Sequence, residues 1–91
     1  MRFEWDERKN EKNRQKHGVW FEEAKNIFSD PYHLIFLDTK QNEERYIVIG
    51  YSGSERLLVM VFCYRKSESV IRIISARRAT KKERSFYEKR I

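Results

Sequence analysis

The stretch that decides the fold lies near the C-terminus and reads Val70-Ile71-Arg72-Ile73-Ile74-Ser75-Ala76-Arg77-Arg78-Ala79-Thr80-Lys81-Lys82-Glu83. It begins as an apolar, β-branched run, which predicts a strand buried on at least one face. It ends with Thr80 and, three residues later, Glu83, a capping-box pattern that opens a helix. Arg77 and Arg78 therefore lie where a buried strand ends and a helix begins. Fixed cations beside a helix N-terminus favour an anion such as phosphate, and the alternative is a strand with solvated arginines at its tip.

The composition predicts one small domain. The chain has 91 residues, 40% of them hydrophobic, which is enough for one core, so we expect residues 1–91 to form a single domain. The formal net charge is +6, and residues 67–91 hold eight Lys and Arg against three Glu, a local balance of +5. A basic end of this kind suits nucleic acid or an acidic protein partner, although a solvated helix face has the same composition.

Several functional classes have no support in the sequence. Cys63 is the single cysteine, so an intramolecular disulfide and a cysteine metal cage are excluded, and its apolar surroundings predict a core residue. His17 and His33 have no carboxylate at a ligand spacing, so we expect neither a metal site nor a cofactor. The chain contains no apolar run of membrane-spanning length and no N-terminal signal pattern, which predicts a cytoplasmic protein with no membrane partner.

Periodicity and capping residues predict the other elements. A short strand over Arg2–Trp5 and four strands over 34–37, 45–51, 57–64 and 70–76 are expected, with helices over 7–16, 21–29 and 81 to about 90. Polar turns at 39–44, 52–54 and 66–69 join the strands, which favours an antiparallel meander. The predicted fold class is therefore α+β, with an antiparallel sheet of about four strands plus a short N-terminal strand, two N-terminal helices and one C-terminal helix.

The first predicted helix has no hydrophobic face. Asp6 suits its N-cap and Gly18 its C-cap, but residues 7–16 contain no apolar side chain that could dock it. A segment that breaks the packing rule is a candidate functional site, with a plain solvated helix as the alternative. The other two helices have apolar residues that predict their docking faces: Phe21, Ala24, Ile27 and Phe28 in the second, and Phe86 and Tyr87 in the last.

A basic set with one histidine remains as the candidate site: Lys9, Lys16, His17, Arg45, Arg65, Arg72, Arg77 and Arg78. Metal-free RNA cleavage needs a base for the 2′-hydroxyl proton, cations for the added charge on the phosphate, and an acid for the leaving oxygen. His17 is the obvious candidate for the base or the acid, because an unperturbed histidine titrates near neutrality. The alternative for His17 is a histidine at a helix C-terminus that interacts only with the helix dipole.

Residues along nearly the whole chain resemble the BrnT family of bacterial type II toxins, which are partnered by the BrnA antitoxin. They are Phe3-Glu4-Trp5-Asp6, Lys9, Asn13, Lys16-His17-Gly18-Val19, Phe21-Glu22-Glu23-Ala24, Phe28, Asp30-Pro31, Glu44-Arg45, Ile49-Gly50 and Ile71-Arg72-Ile73-Ile74-Ser75-Ala76-Arg77, with Ala79, Glu83, Arg84 and Tyr87. The resemblance implies a small RelE-like ribonuclease that cleaves RNA without a metal and inhibits translation. It also implies neutralisation by a BrnA-like antitoxin, with DNA contacted only indirectly through that antitoxin.

The resemblance also implies roles for residues at matching positions. His17 is expected to be the general base or acid, and Arg65 and Arg77 to hold the scissile phosphate. The expected substrate-binding residues are Lys9, Lys16, Arg45, Arg72 and Tyr64. The family pattern falls on Lys16 and Arg72 of this set, whereas Lys9 and Arg45 are candidates for lining the RNA path and Tyr64 departs from the pattern. A rival interpretation of the same basic residues is a non-catalytic module that docks an antitoxin or nucleic acid.

Two positions depart from the family pattern. Trp20 stands where the family usually has a Ser or Thr that caps the second helix, so the capping oxygen is lost and Glu23 lacks its capping-box partner. Tyr64 stands where the family commonly has a small or acidic residue, and its ring could stack on an RNA base or cover the sheet. Neither change removes a candidate catalytic group.

Overall fold

The computed structural model describes residues 1–40, 44–53 and 56–89. The elements in chain order are β1 (Arg2–Glu4), α1 (Glu7–His17), α2 (Phe21–Ala24), a 3₁₀ segment (Lys25–Ser29), β2 (Leu34–Asp38), β3 (Arg45–Tyr51), β4 (Leu57–Arg65), β5 (Val70–Arg78) and α3 (Lys81–Glu88). The predicted α+β class is confirmed. Parts of the two turns predicted at 39–44 and 52–54, and the predicted end of the last helix near Arg90, fall on residues outside the described ranges.

The described strands form one five-stranded sheet in the order β1-β5-β4-β3-β2. Strands β2 to β5 pair antiparallel in sequence order, as the short turns predicted. Strand β1 pairs in parallel with β5, with Phe3 opposite Ile71, so the sheet is mixed. Sequence periodicity did not predict this pairing, because it joins segments almost 70 residues apart.

The two faces of the sheet are covered to different extents. Successive strand residues point to opposite faces. One face packs against α2 and the 3₁₀ segment, with Met60, Phe62 and Ile73 buried among side chains of those elements. On the other face, Tyr87 of α3 packs against Ile49, Leu57 and Val59 at one end of the sheet. We call the remainder of this second side the open face.

The second predicted helix is shorter than expected. The α-helix ends at Ala24, and the chain continues as a 3₁₀ segment to Ser29. Trp20 precedes the helix and makes no side-chain capping bond, as expected for a residue without the hydroxyl of Ser or Thr. The amide oxygen of Asn10 instead accepts a hydrogen bond from the backbone N–H of Phe21 at 2.8 Å. A side chain from α1 thus satisfies a free N–H group at the start of α2.

The docking of α3 was predicted only in part. Tyr87 is fully buried as expected, whereas Phe86 is 46% exposed and contributes only a partial contact. Adjacent helical residues point about 100° apart, so a short helix at one end of a sheet can bury only one of them. The Phe86 ring lies 5.6 Å from the ring of Phe36 on β2.

Asp30 links the end of the 3₁₀ segment to β3 and α3. Its Oδ2 accepts hydrogen bonds from the Tyr51 backbone at 2.8 Å and from the Tyr87 hydroxyl. Burial opposes the ionised form of Asp30, but these hydrogen bonds outweigh burial and lower the pKa of Asp30. Burial and the neighbouring Asp30 carboxylate raise the pKa of Tyr87. Gly50 is required beside this group, because a Cβ there would lie 2.8 Å from Ile27 Cγ2.

Candidate functional site

Helix α1 docks through two buried asparagines, Asn13 onto the sheet and Asn10 onto the start of α2. Asn10 and Asn13 are 0% and 7% exposed. Asn13 donates to the carbonyls of Val19 at 2.9 Å and Ala76 at 2.8 Å, and it accepts from the N–H of Ala76 at 3.0 Å. The amide therefore pairs with the edge of β5 as a neighbouring strand would. This explains how a helix without apolar residues is held, which the sequence pattern left open.

A shallow basic groove runs between α1 and β5. It has a volume of about 290 Å³ and is lined by Lys9, Lys12, Asn13, Lys16, His17, Ile74 and Ser75. Lys9, Lys16 and His17, the three candidate residues on α1, thus line the same groove. None of their side chains has a hydrogen-bond or ion-pair partner within the described ranges, so all three are available to a ligand.

A bulge in β5 adjoins this groove. Val61 pairs with Ser75 and Phe62 with Ile73, so Ile74 is an extra residue on β5. Bulges re-aim side chains and are common beside active sites. Ser75 lies opposite Val61 on the open face and also lines the α1 groove. The groove and the open face therefore meet at Ser75.

The strand register turns four candidate arginines to the open face. Arg77 lies opposite Val59, Arg72 opposite Cys63, and Arg65 is the next residue of β4 on the same face. On β3, Arg45 follows the same alternation as Ile47 and Ile49. The cations predicted from separate stretches of sequence are thus brought to one side of the sheet, where Arg77 lies beside α3 and Arg65 lies at the opposite end of β4.

The open-face arginines differ in how they are bonded. Arg65 is exposed and has no partner in the part of the chain that the structure describes. Arg72 donates to Glu4 at 2.9 Å, a carboxylate brought to it by the parallel pairing of β1. Arg77 donates from Nη1 and Nη2 to the two carboxylate oxygens of Glu83, both at 2.8 Å.

The pair between Arg77 and Glu83 changes the titration of both groups. The hydrogen bonds from Arg77 lower the pKa of Glu83 from its ordinary value of 4.5 to about 2. The same contact raises the pKa of Arg77, and partial burial opposes that change. Both groups are therefore ionised at neutral pH, and each holds the other in place.

The phosphate site predicted at the start of α3 is already occupied by the protein's own carboxylate. Thr80 and Glu83 form the predicted capping box, in which the Thr80 hydroxyl accepts from the Glu83 N–H and Glu83 accepts from the Thr80 N–H. Arg78 lies opposite Leu58, on the other face from Arg77. The two arginines therefore do not converge on a free helix N-terminus, and that sequence-based expectation was wrong.

Tyr64 lies on the face opposite the open face, and Trp20 lies at the start of α2 beside α1. Tyr64 shares the helix-covered face with Phe62, and its ring lies 5.4 Å from the Phe62 ring and 5.1 Å from that of Tyr46. Of the two roles open to Tyr64, this contact pattern favours covering the sheet. The Trp20 ring is 44% exposed, and the guanidinium of Arg14 lies 5.7 Å from its centre.

An apolar groove lies on the open face beside the Arg77–Glu83 pair. It has a volume of about 310 Å³ and is lined by Phe36, Ile47, Ile49, Val59, Lys82, Glu83 and Phe86. Phe36 and its neighbours Ile35 and Leu37 are all exposed, and they belong to β2, the edge strand. Exposed apolar residues at a sheet edge are a common feature of protein-binding surfaces.

Two further structural findings concern metals and membranes. Within residues 1–40, 44–53 and 56–89, no group of three or more His, Cys, Asp or Glu side chains is placed to hold a metal ion. In the same ranges, no helix is both long and apolar enough to cross a membrane.

Comparison with known proteins identifies a family and similar solved structures. Residues 5–83 match the family described as the ribonuclease toxin BrnT of type II toxin–antitoxin systems. The chain is also similar to the crystal structure of the Brucella abortus ribonuclease toxin BrnT, with a TM-score of 0.67 and 25% sequence identity. That similarity covers 89% of this chain and 99% of the Brucella chain. No curated protein matches the chain.

Proposed function

This chain belongs to the BrnT family of ribonuclease toxins of type II toxin–antitoxin systems, and we propose that it cleaves RNA without a metal ion where the open face meets the α1 groove. One observation carries the location: the strand register brings Arg65, Arg72 and Arg77 to one face. The groove that contains His17 reaches that face at Ser75. Arg77 and Arg72 lie two and three residues from Ser75 along β5, so cations and the His17 imidazole lie on either side of this junction. Arg65 lies farther away, six residues along β4 from the position opposite Arg77.

The proposed reaction divides the work among these groups. One base removes the proton of a 2′-hydroxyl, the resulting oxygen attacks the adjacent phosphorus, and an acid protonates the departing 5′-oxygen. His17 is the base or the acid. Arg77 holds the scissile phosphate, with support from Arg72 and Lys16. Arg65 was expected to hold the same phosphate, but six residues of β4 separate it from the position opposite Arg77, so we assign it to a neighbouring phosphate. Removing one such charge-stabilising donor typically slows a reaction by about 10²- to 10³-fold.

Other basic residues are proposed to guide the RNA. Lys9 lies in the α1 groove and Arg45 on the open face, so both can contact phosphates on either side of the cleaved bond. Tyr64 leaves the proposed substrate set, because it lies on the opposite face and packs against Tyr46 and Phe62. Metal independence is proposed because guanidinium and ammonium groups can stabilise the charge that forms on phosphorus.

The proposed biological outcome is arrest of translation in the cytoplasm, where the RNA substrate is found. The proposed partner is a BrnA-like antitoxin, and contact with DNA occurs only through it. We place an acidic or amphipathic segment of that antitoxin over the basic open face and in the apolar groove of Phe36 and Phe86. A segment bound there would contact the Arg77–Glu83 pair and exclude RNA from it.

The test is a cleavage assay on the purified protein with end-labelled RNA, in the presence and absence of excess EDTA. We expect the same products and rate in both conditions, and loss of cleavage on addition of stoichiometric antitoxin. His17→Ala is expected to slow cleavage by about 100-fold or more. Loss of cleavage in EDTA with recovery on adding Mg²⁺ or Zn²⁺ would overturn metal independence. Full activity in a stable antitoxin complex would show that the antitoxin binds elsewhere.

A further inference from the structure

Glu83 holds Arg77 by one edge of the guanidinium and leaves another edge free. The terminal edge, formed by Nη1 and Nη2, donates to the two carboxylate oxygens of Glu83 at 2.8 Å each. Nη1 also donates to the carbonyl of Arg78 at 3.2 Å. A guanidinium has five N–H groups in a fixed planar arrangement. The Nε–H and the outer N–H of Nη2 remain, and they point in parallel from the side edge of the group.

The side edge is suited to an oxyanion. Two parallel N–H donors match two oxygens of a phosphate, and this bidentate contact is stronger and more directional than a single bond. No residue within the described ranges accepts a hydrogen bond from Arg77 Nε, and that atom is not among the buried polar atoms left without a partner. The free edge is therefore open to solvent and to a ligand.

We infer that Glu83 is a positioning residue for RNA cleavage: it fixes Arg77 by the terminal edge so that the side edge faces the scissile phosphate. This rests on the proposed function. The backbone of Arg77 is fixed by its pairing with Val59 on β4, and that of Glu83 by its place in α3, which buried Tyr87 anchors to the sheet. The guanidinium is thus held from both ends before any RNA binds.

Preorganisation is the reason the carboxylate matters. A free arginine side chain would lose several rotamers on gripping a phosphate, and a misplaced donor loses much of its stabilisation of the transition state. Glu83 removes that cost in the folded protein. The competing explanation is that Glu83 serves only to cap α3, because one of its carboxylate oxygens also accepts from the Thr80 N–H.

Two substitutions separate positioning from capping. Glu83→Gln keeps a side chain that completes a capping box, since Gln serves at this position as Glu does, but it removes the charge and one acceptor from Arg77. Thr80→Ala removes the hydroxyl that caps the Glu83 N–H and leaves the carboxylate on Arg77. The first variant loses the ion pair with the cap retained, and the second loses the cap with the ion pair retained.

The experiment measures single-turnover RNA cleavage, RNA binding and melting temperature for wild type, Glu83→Gln, Thr80→Ala, Arg77→Ala and the double variant Arg77→Ala/Glu83→Gln. We expect Glu83→Gln to slow cleavage by about 10- to 100-fold while RNA binding changes little. Thr80→Ala should lower the melting temperature and leave cleavage within about twofold of wild type. In the Arg77→Ala background, Glu83→Gln should have no further effect on cleavage, because its action passes through Arg77.

The outcomes that overturn the inference are distinct from those that overturn the proposed function. If Arg77→Ala slows cleavage but Glu83→Gln does not, the ribonuclease site stands and the positioning role is wrong. The positioning role is also wrong if Glu83→Gln and Thr80→Ala slow cleavage in proportion to their loss of melting temperature. If Arg77→Ala cleaves as wild type does, the assignment of Arg77 to the phosphate fails, and the inference about Glu83 fails with it.

Discussion

Asn13 and Ala76 hold each other by two hydrogen bonds although 63 residues separate them in the chain: the Asn13 amide donates to the Ala76 carbonyl at 2.8 Å and accepts from its N–H at 3.0 Å. The side chain takes the place of a strand at the edge of β5, beyond the point where β1 ends. Because Lys9, Lys16 and His17 are on the same helix, this pairing sets the position of the basic groove.

Replacing Asn13 should therefore destabilise the protein more than replacing an exposed polar residue of the same helix. Asn13→Ala removes the buried amide that bonds to the N–H and C=O of Ala76 and to the carbonyl of Val19, so these backbone groups lose a hydrogen-bond partner. We expect a loss of about 2–4 kcal/mol in the free energy of unfolding, measured by urea denaturation. Gln15→Ala, at an exposed position of the same helix, should change it by no more than about 0.5 kcal/mol. Equal effects of the two variants would mean that α1 docks by other contacts.

The strands and helix boundaries could be predicted because local signals specify them. Apolar runs separated by short polar turns located β3 to β5, and Asp6, Gly18 and Thr80 marked helix ends where the structure has them. The parallel pairing of β1 and the break of the second helix at Ala24 could not be predicted, because both depend on distant contacts. One sequence feature could have predicted the polar docking of α1: the helix has no apolar residues but carries two asparagines, Asn10 and Asn13, three residues apart.

The candidate site could be predicted as a set of residues but not as an arrangement. Residue type and family resemblance selected Arg65, Arg72 and Arg77, and alternation alone could not show that a bulge at Ile74 keeps Arg72 and Arg77 on one face. In an uninterrupted strand, residues five apart point to opposite faces. The bonding of Arg77 to Glu83 was also missed, although the capping box placed that carboxylate near the end of the strand.

Acid titration should report the Arg77–Glu83 pair. The pKa of Glu83 is about 2 in the folded protein against an ordinary value of 4.5, so the unfolded chain binds more protons between these values. The contribution of this pair to stability is therefore complete above about pH 4.5 and is lost as the pH falls toward about 2. We expect the difference in unfolding free energy between wild type and Glu83→Gln to shrink over this interval, as measured by urea denaturation at a series of pH values. A difference that stays constant with pH would show that the pair contributes no charge-dependent stability.

The apolar groove gives a test of where the antitoxin binds. Phe86→Ser removes an exposed ring that lines the groove, and Tyr32→Ser removes an exposed ring elsewhere on the surface. We expect Phe86→Ser to weaken binding of the proposed BrnA-like antitoxin by about tenfold or more, as is usual for an aromatic anchor. Tyr32→Ser should not change binding, and free Phe86→Ser toxin should cleave RNA at the wild-type rate. Unchanged affinity for Phe86→Ser, measured by calorimetry, would exclude this groove as the antitoxin site.

Comparing Arg77→Ala with Lys89→Ala distinguishes an active site from a surface that is only basic. Arg77→Ala breaks a partly exposed ion pair, so we expect it to cost at most about 1 kcal/mol of stability, slightly more than an unpaired surface residue would. The same change should slow single-turnover RNA cleavage by about 100-fold or more if the guanidinium stabilises the phosphate in the transition state. Arg77→Lys should restore only part of the rate, because lysine keeps the charge but cannot bind Glu83 and a phosphate through two separate edges.

Lys89→Ala is the matched control for bulk charge, since it removes one exposed cation from the same basic C-terminal region outside the proposed site. An active site predicts a large rate loss for Arg77→Ala and almost none for Lys89→Ala, at similar melting temperatures. A small and equal loss for both variants, reversed by lowering the salt concentration, would mean that these cations act only through long-range attraction. That result would favour the non-catalytic binding module over the ribonuclease site, because a binding surface loses affinity gradually with each charge, whereas a catalytic site fails at one or two positions.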